Sequence, residues 1–240
     1  MIGGFIPCSL LDYPGRTAAV IFLRGCNLRC RYCHNPELCT PEGEAVTDRA
    51  ALGEFLERRR GRLGGVVVTG GEPTSRPDLA DLLEWIRSFG YPVKLDTNGT
   101  RPERVRSLAG AGLLDYAAVD VKTGPESPWA QDLLGRGGQA EKALETLGIL
   151  LREGVPCEAR TTVVEGYHGE DELESLAAAL AAAGVGTWWI QPVRGGKVLD
   201  PDRTFRPPPA DLLARVREFA AYLGLEARIR GNLETTRSGR

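Results

Sequence analysis

Three cysteine thiols are the most reactive group in the sequence. Cys26, Cys30 and Cys33 lie within eight residues, spaced C-x3-C-x2-C. So short a segment directs its thiols toward one centre, and such thiolates bind soft metals or iron–sulfur clusters. A [4Fe–4S] cluster has four irons to ligate, so three thiolates leave one iron open, as catalytic metals require. Three arginines flank the thiols, Arg24, Arg29 and Arg31. We expect their positive charge to favour the ionised thiolates.

A zinc site is the alternative interpretation of this loop. Either His34 or Cys39 would supply the fourth ligand of a tetrahedral zinc. A disulfide is not expected, because three clustered thiols pair badly and no secretion signal is evident. Of the other cysteines, Cys8 is isolated and Cys157 falls in a strand-like segment, where it is expected to be part of the core.

Polar motifs follow the next three predicted strands. They are Gly70-Gly71-Glu72, Asp96-Thr97-Asn98-Gly99 and Asp120-Val121-Lys122. The carboxyl ends of parallel strands meet at one edge of an α/β sheet, where active sites lie. Glycines let a ligand approach the backbone, and Glu72 can accept from an ammonium. Asp120 and Lys122 alternate onto one strand face, where they can bind the ammonium and carboxylate of an amino acid.

Each of these motifs also has a structural interpretation. The Gly-Gly pair is common in tight turns, and Asp96–Gly99 can form an Asx turn. Asp120 and Lys122 can form an ion pair at the end of a sheet. The motifs become informative when they are considered together with the cysteine loop.

Six predicted strands alternate with helices and must position these motifs. The strands cover residues 17–23, 63–69, 93–96, 116–122, 156–164 and 187–191. The helices cover residues 48–60, 102–111, 138–153 and 171–183, with one more beginning near 76. This alternation predicts parallel strands with right-handed helical crossovers. Six units fall short of the eight that close a barrel, so we expect an α/β fold that is a partial (β/α)6 barrel. A doubly wound open sheet is the alternative.

The two ends of the chain differ from this repeating pattern. Residues 1–16 are rich in turn formers and are predicted to be an irregular lead-in. After residue 192 we expect a loop, a helix over 210–223, a possible edge strand over 226–230 and a disordered end at 235–240. The expected division is a core domain of residues 1–192 and a C-terminal extension of residues 193–240.

Composition excludes several classes of function. The 240 residues contain 30 Lys and Arg against 32 Asp and Glu, a net charge of -2, which does not suit a nucleic-acid binder. No charged segment followed by a long apolar run begins the sequence, so no signal peptide is expected. No segment approaches the ~20 apolar residues of a membrane span. Six cysteines without a secretion signal indicate a reducing compartment, and we expect a cytoplasmic protein.

The cysteine loop resembles the cluster-binding loop of the radical S-adenosylmethionine (SAM) enzymes, whose pattern is C-x3-C-x-aromatic-C. Tyr32 stands at the aromatic position. The resemblance implies a [4Fe–4S] cluster bound by the three cysteines, with SAM chelating the open iron. In that family an electron from the cluster cleaves the sulfonium and releases a 5′-deoxyadenosyl radical. The same resemblance implies the partial (β/α)6 barrel.

The remaining motifs are similar to those of one branch of that family, the activases of glycyl radical enzymes. Cys8-Ser9-Leu10-Leu11-Asp12-Tyr13-Pro14-Gly15 and Cys33-His34-Asn35-Pro36-Glu37-Leu38 most resemble the activase of anaerobic ribonucleoside-triphosphate reductase. The implied partner is a glycyl radical enzyme, with anaerobic ribonucleotide reductase as the first candidate. A flavodoxin or ferredoxin is the implied electron donor.

The resemblance also implies roles for the residues around SAM. Tyr32 and His34 would line its adenine side, and Gly70, Gly71 and Glu72 would hold its amino group. Asp96, Asp120 and Lys122 would help to hold it as well, and the two aspartates would bind a monovalent cation. Arg160 and Thr162 either reach the adenosine or pack on the strand face. Gln191 stands where the activases have a histidine near the ribose, while His168 is expected in a surface loop.

Two other functions remain open at this point. One is a radical SAM enzyme that acts on a small molecule, such as a carboxy-deazaguanine synthase. The other is a non-enzymatic electron carrier or zinc-binding scaffold, which has no use for the three polar motifs.

Overall fold

One sheet organises the protein, whose computed structural model describes residues 1–230. Its strands are β1 Ile2–Tyr13, β2 Arg16–Leu23, β3 Gly65–Gly70, β4 Val93–Thr97, β5 Tyr116–Asp120, β6 Cys157–Val163, β7 Thr187–Pro192 and β8 Glu226–Ile229. The order of the strands in the sheet follows the chain from β1 to β8. β1 is antiparallel to β2, and every later neighbour is parallel.

Helices connect the parallel strands. They are α1 Arg49–Arg58, α2 Leu79–Ser88, α3 Pro102–Gly110, α4 Ala130–Leu134, α5 Gln139–Arg152, α6 Glu170–Ala182 and α7 Ala210–Tyr222. A doubly wound sheet would reverse its strand order at a switch point, and this order never reverses. β1 and β8 are the two edges of the described sheet, so the predicted open, partial barrel is confirmed.

The two faces of the sheet have different roles because side chains alternate along each strand. On β3 and β4, Val66, Val68, Val93 and Leu95 belong to the core between the sheet and the helices. The opposite face lines the inside of the barrel, where a small apolar cluster of Tyr13, Ala18, Val20 and Val67 lies near the amino ends of the strands. The polar residues of the motifs continue that inner face toward the carboxyl ends.

The prediction of an irregular segment over residues 1–16 is wrong. Residues 2–13 form the longest strand, which turns back through Pro14 and Gly15 into β2. This strand was not predicted because it contains Gly3, Gly4 and Pro7, and glycine and proline are unfavourable inside a sheet. Proline is nevertheless tolerated on an edge strand, where its missing N–H faces away from the ladder.

The C-terminal segment continues the sheet. α7 and the predicted edge strand are present, and β8 pairs with β7. The division at residue 192 stays a prediction, and the expected disorder at 235–240 lies outside the described residues. Within residues 1–230, none of the helices combines the length and the apolar character that crossing a membrane requires.

Candidate active site

The carboxyl ends of the parallel strands surround a cavity of about 250 Å³. Nearly all of the predicted site residues line it: Cys26, Cys30, Tyr32, Cys33, His34, Gly70, Gly71, Asp96, Asp120 and Lys122. Arg160 and Thr162 of β6 and Cys39 also contribute to its wall. Among the residues predicted to hold the cluster or SAM, Glu72 alone lies outside this lining. The structure therefore brings four separate sequence motifs to one place.

Backbone hydrogen bonds fix the cysteine loop on two sides. The N–H groups of Gly25 and Cys26 donate to carbonyls at the end of the short 3₁₀ helix Pro36–Leu38, over 2.9 and 3.0 Å. On the other side, the N–H groups of Arg29 and Arg31 donate to carbonyls at the end of α4, over 3.0 and 2.9 Å. With only five residues, α4 is too short to be predicted from the sequence. Hydrogen bonds to two other segments thus fix the position of the cysteine loop.

The arginines of the loop are engaged away from the thiols. Arg24 and Arg29 donate to backbone carbonyls, and Arg31 pairs with two carboxylates of other segments. Burial raises the pKa of Cys26, and it raises the pKa of Cys30 to about 12. The expectation that the arginines favour these two thiolates is therefore wrong. A metal bound by these sulfurs would itself favour their ionised form.

Cys39 lies beside the predicted cluster ligands. Its Sγ donates to the Sγ of Cys33 over 3.8 Å, and this contact lowers the pKa of Cys33. The other proposed fourth ligand, His34, is exposed, with its Nδ1 3.3 Å from the carbonyl of Lys197. Among residues 1–230, no three His, Cys, Asp or Glu side chains are close enough to share one metal ion. The three thiols of the motif are instead distributed around the cavity wall.

The Gly70-Gly71 turn packs directly against the cysteine loop. Gly70 has a φ of +129°, a conformation that favours glycine. A Cβ atom on Gly71 would lie 2.3 Å from the carbonyl oxygen of Gly25, which no side chain tolerates. The two glycines are therefore required for backbone packing, in addition to any approach by a ligand.

Glu72 braces the site from behind the cavity wall. Its carboxylate accepts from the N–H and Oγ1 of Thr74 at 3.0 and 2.5 Å. It also accepts from Oγ1 of Thr97 and the N–H of Asn98, both at 2.6 Å. The side chain is fully buried. The predicted contact between this carboxylate and an ammonium is thus not supported, because neighbouring donors already occupy its oxygens.

Asn98 extends this bracing to the cysteine loop. Its Nδ2 donates to Oδ1 of Asn27 over 3.0 Å, and Nδ2 of Asn27 donates to Oγ1 of Thr100 over 2.7 Å. The Oδ1 of Asn98 accepts from the N–H of Thr100, so the Asx turn considered for this motif is present. The segment after β4 therefore positions the loop that carries the thiols.

Alternating charges form the floor of the cavity. Arg160 donates to Asp96 and to Asp120, each over 2.8 Å. Lys122 Nζ donates to the other oxygen of Asp120 over 3.2 Å. Lys94, which was not among the predicted site residues, donates to the other oxygen of Asp96 over 2.5 Å. The cations that contact both aspartates are thus side chains of this chain, and the monovalent cation stays a prediction.

These contacts keep both carboxylates ionised. Burial alone would raise the pKa of Asp120, but Arg160 and Lys122 lower it to about 2. Arg160 and Lys94 likewise lower the pKa of Asp96 against the effect of burial. Three cations facing two anions leave one net positive charge. The floor of the cavity therefore favours a ligand with a carboxylate.

His168 contradicts its predicted place in a surface loop. The side chain is 1% exposed, and its Nδ1 accepts from the N–H of Val164 over 3.0 Å. Its Nε2 therefore carries the proton and donates to the carbonyl of Lys122 over 2.8 Å. His168 thus fixes the backbone of Lys122. The polar and glycine-rich neighbours of His168 in the sequence gave no sign of this role.

The loop after β7 covers one side of the cysteine loop. The N–H of Asp200 donates to the carbonyl of Arg31 over 3.0 Å, and the two side chains form an ion pair at 2.7 Å. The ring of Tyr32 packs edge-on against Phe205, with 6.3 Å between centroids. The hydroxyl of Tyr32 is buried without a hydrogen-bond partner among the described residues.

A second cavity, of about 520 Å³, adjoins the first and shares His34, Asn35 and Thr162 with it. It extends between Gln191 at the end of β7 and the tip of β1 near Leu11. Gln191 lines this second cavity and not the first. The active-site region therefore continues into a larger space on the side where the barrel does not close.

Comparison with known proteins assigns this arrangement to a family. Residues 20–179 match the family described as the Radical SAM superfamily. A relative from Methanocaldococcus jannaschii, provisionally named a glycyl-radical enzyme activating enzyme, is 32% identical over 182 residues, which are 74% of each chain. The 7-carboxy-7-deazaguanine synthase of Methanothermobacter thermautotrophicus is 26% identical over 198 residues, 74% of this chain and 78% of its own.

A solved structure supports the fold. SuiB of Streptococcus suis bound to S-adenosylmethionine superposes with a TM-score of 0.68 at 16% identity. The superposition covers 88% of this chain and 52% of SuiB, so this chain spans about half the length of that protein.

Proposed function

Because the chain belongs to the radical SAM superfamily, we propose that it is an activase that generates a glycyl radical on a partner enzyme. The observation that carries this proposal is the 32% identity to an archaeal relative named for that activity, over 74% of both chains. The two segments that most resemble the activases, residues 8–15 and 33–38, both reach the active-site region. Leu11 and Asp12 line the second cavity, and Cys33 and His34 line the first.

The family's cofactors are a [4Fe–4S] cluster and SAM, and the cavity suits them. It offers three thiols, a positively charged floor and the buried Tyr32 hydroxyl, which has no hydrogen-bond partner within residues 1–230. When bound, the cluster supplies the electron that cleaves SAM to the radical.

Roles for individual residues follow from their places around the cavity. Cys26, Cys30 and Cys33 would ligate the cluster, and Asp120 and Lys122 would bind the ammonium and carboxylate of SAM. The backbone of Gly70 and Gly71, with Tyr32 and His34, would complete the SAM site, and Asp96 would support Asp120 through Arg160. Glu72 would act only as a brace. These roles rest on position and charge.

The opening beside the cavity supports a protein substrate. A 5′-deoxyadenosyl radical needs protection from water, and the barrel is open between β1 and β8 among the described residues. A glycine-bearing loop of a partner can fill such an opening, because glycine allows the closest backbone approach. Anaerobic ribonucleotide reductase is the partner we propose first, with a flavodoxin or ferredoxin as electron donor.

A reaction on a small molecule is the second candidate. The 26% identity to a 7-carboxy-7-deazaguanine synthase, over 78% of that enzyme, favours it. The two candidates predict different acceptors for the same radical.

Anaerobic mixing separates these two functions. The protein, SAM and a reductant are incubated with the anaerobic ribonucleotide reductase of the same cell, frozen and examined by electron paramagnetic resonance. We expect the doublet of a backbone glycyl radical, and no doublet when the glycine of the partner is replaced by alanine. Cleavage of SAM with no doublet on any glycyl radical enzyme, together with consumption of a heterocycle, would establish the second candidate instead.

A further inference from the structure

Lys94 is an ammonium in an unusual place. It lies on the inner face of β4, in register with Val67 of β3 and Tyr116 of β5. The residue is 1% exposed and is the only lysine among residues 1–230 that is buried to this degree. Burying a charge is costly unless it is paired, so the position of Lys94 requires a compensating partner.

Asp96 is that partner. Lys94 Nζ contacts Oδ1 of Asp96 over 2.5 Å, and it lies 5.9 Å from the centroid of the Tyr116 ring. The other oxygen of Asp96 receives a hydrogen bond from Arg160. Asp96 is therefore held between two positive charges, one from inside the barrel and one from the side of the cavity.

Arg160 connects this pair to the cavity floor. Its Nη1 is bound to Asp96 and its Nε to Asp120, which also accepts from Lys122. Charges alternate along the series Lys94, Asp96, Arg160, Asp120, Lys122. Only Lys94 does not line the cavity. It can therefore influence a ligand only through the other four.

We propose that Lys94 is a positioning residue that acts as a built-in cation for the SAM site. Because Lys94 pairs with one oxygen of Asp96 from inside the barrel, Arg160 can pair with both Asp96 and Asp120. Asp120 and Lys122 then keep the separation and charge that the amino acid end of SAM requires. A free monovalent cation is not needed next to Asp96. The inference rests on the proposed SAM site and is independent of which molecule accepts the radical.

Substitutions at Lys94 separate the effect of charge from that of packing. Lys94→Met keeps most of the length of the side chain but removes the charge, and it leaves no room for another cation. Lys94→Ala removes both the charge and the stem, and it leaves space beside Asp96. In both variants Asp96 is left with Arg160 alone, which draws the guanidinium away from Asp120. Lys142→Met is the matched control, because Lys142 is exposed on α5.

The experiment measures the SAM affinity of anaerobic, cluster-loaded protein by calorimetry in three buffers. These are choline chloride alone, choline chloride with potassium chloride, and choline chloride with ethylammonium chloride. We expect wild-type affinity to be the same in all three buffers. Lys94→Ala and Lys94→Met should each bind SAM about tenfold more weakly in choline chloride, a typical coupling between residues in contact. Ethylammonium or potassium should restore the SAM affinity of Lys94→Ala but not that of Lys94→Met. The control Lys142→Met should bind SAM as tightly as the wild type in every buffer. Absorbance of the cluster confirms equal loading.

Three results would overturn the inference. Wild-type affinity in Lys94→Met would show that only the stem matters. A loss of SAM affinity in Lys94→Ala that neither added cation restores would indicate damage to the fold. A need for potassium when the wild-type protein binds SAM would show that Lys94 does not replace a free cation. A wild-type protein that binds no SAM would contradict the proposed function as well. A missing glycyl radical would leave these affinities unchanged, so the two failures are distinguishable.

Discussion

At the scale of single residues, Lys122 has the most direct role proposed for binding SAM. Burial alone would lower its pKa, but Asp120 raises it well above the usual value. The ammonium therefore stays charged at any pH near neutrality. Lys122→Met removes a charge-assisted hydrogen bond worth about 1.5–3 kcal/mol, so SAM affinity should fall about 10- to 100-fold. Calorimetry on cluster-loaded protein measures this. Unchanged affinity would show that Lys122 is only an ion-pair partner of Asp120.

His168 leads to a prediction about stability. Replacing it by alanine leaves the N–H of Val164 and the carbonyl of Lys122 without partners in a buried place. The free energy of unfolding should fall by about 2–4 kcal/mol, the cost of two unsatisfied buried groups. Chemical denaturation of the apo protein measures the loss. His34→Ala is the control, because His34 is exposed and its loss should change stability little.

The same histidine predicts a dependence of stability on pH. Burial lowers the pKa of His168 below the ordinary histidine value of 6.5. The unfolded chain therefore binds the proton at a higher pH than the folded protein does. The contribution of His168 to stability is complete above pH 6.5 and declines as the pH falls below it. Denaturation curves between pH 5.5 and 7.5, a range of about one unit on each side of 6.5, should show a smaller slope for His168→Ala. Equal slopes of stability against pH in the wild type and in His168→Ala would contradict the claim that His168 is buried in its neutral form.

The sequence predicted the ligating residues better than the residues that support them. Cysteine spacing restricts the thiols to one loop, so the sequence suffices to group them. Lys94 and His168 could not be recognised, because their roles depend on contacts with Asp96 and with Val164 and Lys122 made by folding. Glu72 was predicted to contact the SAM amino group, because the four protein donors that its carboxylate accepts from are seen only in the folded structure.

At the scale of elements, α4 and the loop after β7 stabilise the cysteine loop from outside. Asp132 of α4 accepts from Arg31, Arg203 and Tyr167, over 2.9, 2.9 and 3.1 Å. It therefore connects the cysteine loop to two later segments of the chain. The carboxylate is partly exposed, so each contact contributes modestly.

Asp132→Asn tests this support. The change keeps the shape of the side chain but removes its charge, which should loosen the cysteine loop. We expect cluster iron to be released to a chelator up to about fivefold faster, with the fold intact, since exposed ion pairs contribute at most ~1 kcal/mol. Absorbance of the iron–chelator complex under anaerobic conditions measures the rate. Asp211→Asn, on the remote helix α7, should release iron at the wild-type rate. A wild-type rate in Asp132→Asn would show that the loop needs no such contact.

The predicted elements differ in how well the sequence specified them. Strands β2 to β7 combine apolar runs with intervening helical segments, so their existence and order were predictable. β8 was predicted only as a possible edge strand, because Glu226 and Arg228 interrupt its apolar pattern. β1 was not, because Gly3, Gly4 and Pro7 suppress the strand signal on an edge that the sheet itself stabilises. α4 has five residues, too few to show a helical period.

At the scale of the whole molecule, the opening of the barrel connects fold with function. Because strand order follows the chain without closing, the active-site cavity adjoins a second, larger space between the tip of β1 and the end of β7. The prediction of a partial barrel anticipated an open side. It could not locate the second cavity, because β1 forms part of its wall and was not predicted as a strand.

The central claim is that three thiolates hold a cluster whose fourth iron is open to SAM. Electron paramagnetic resonance of anaerobically reconstituted, reduced protein tests it most directly. We expect a [4Fe–4S]+ signal whose shape changes when SAM is added. Replacing Cys26, Cys30 or Cys33 by alanine should abolish the signal. Cys39→Ala, which removes the thiol that contacts Cys33, should retain both the signal and its response to SAM. Loss of the cluster in Cys39→Ala, or a signal that SAM leaves unchanged, would contradict the claim.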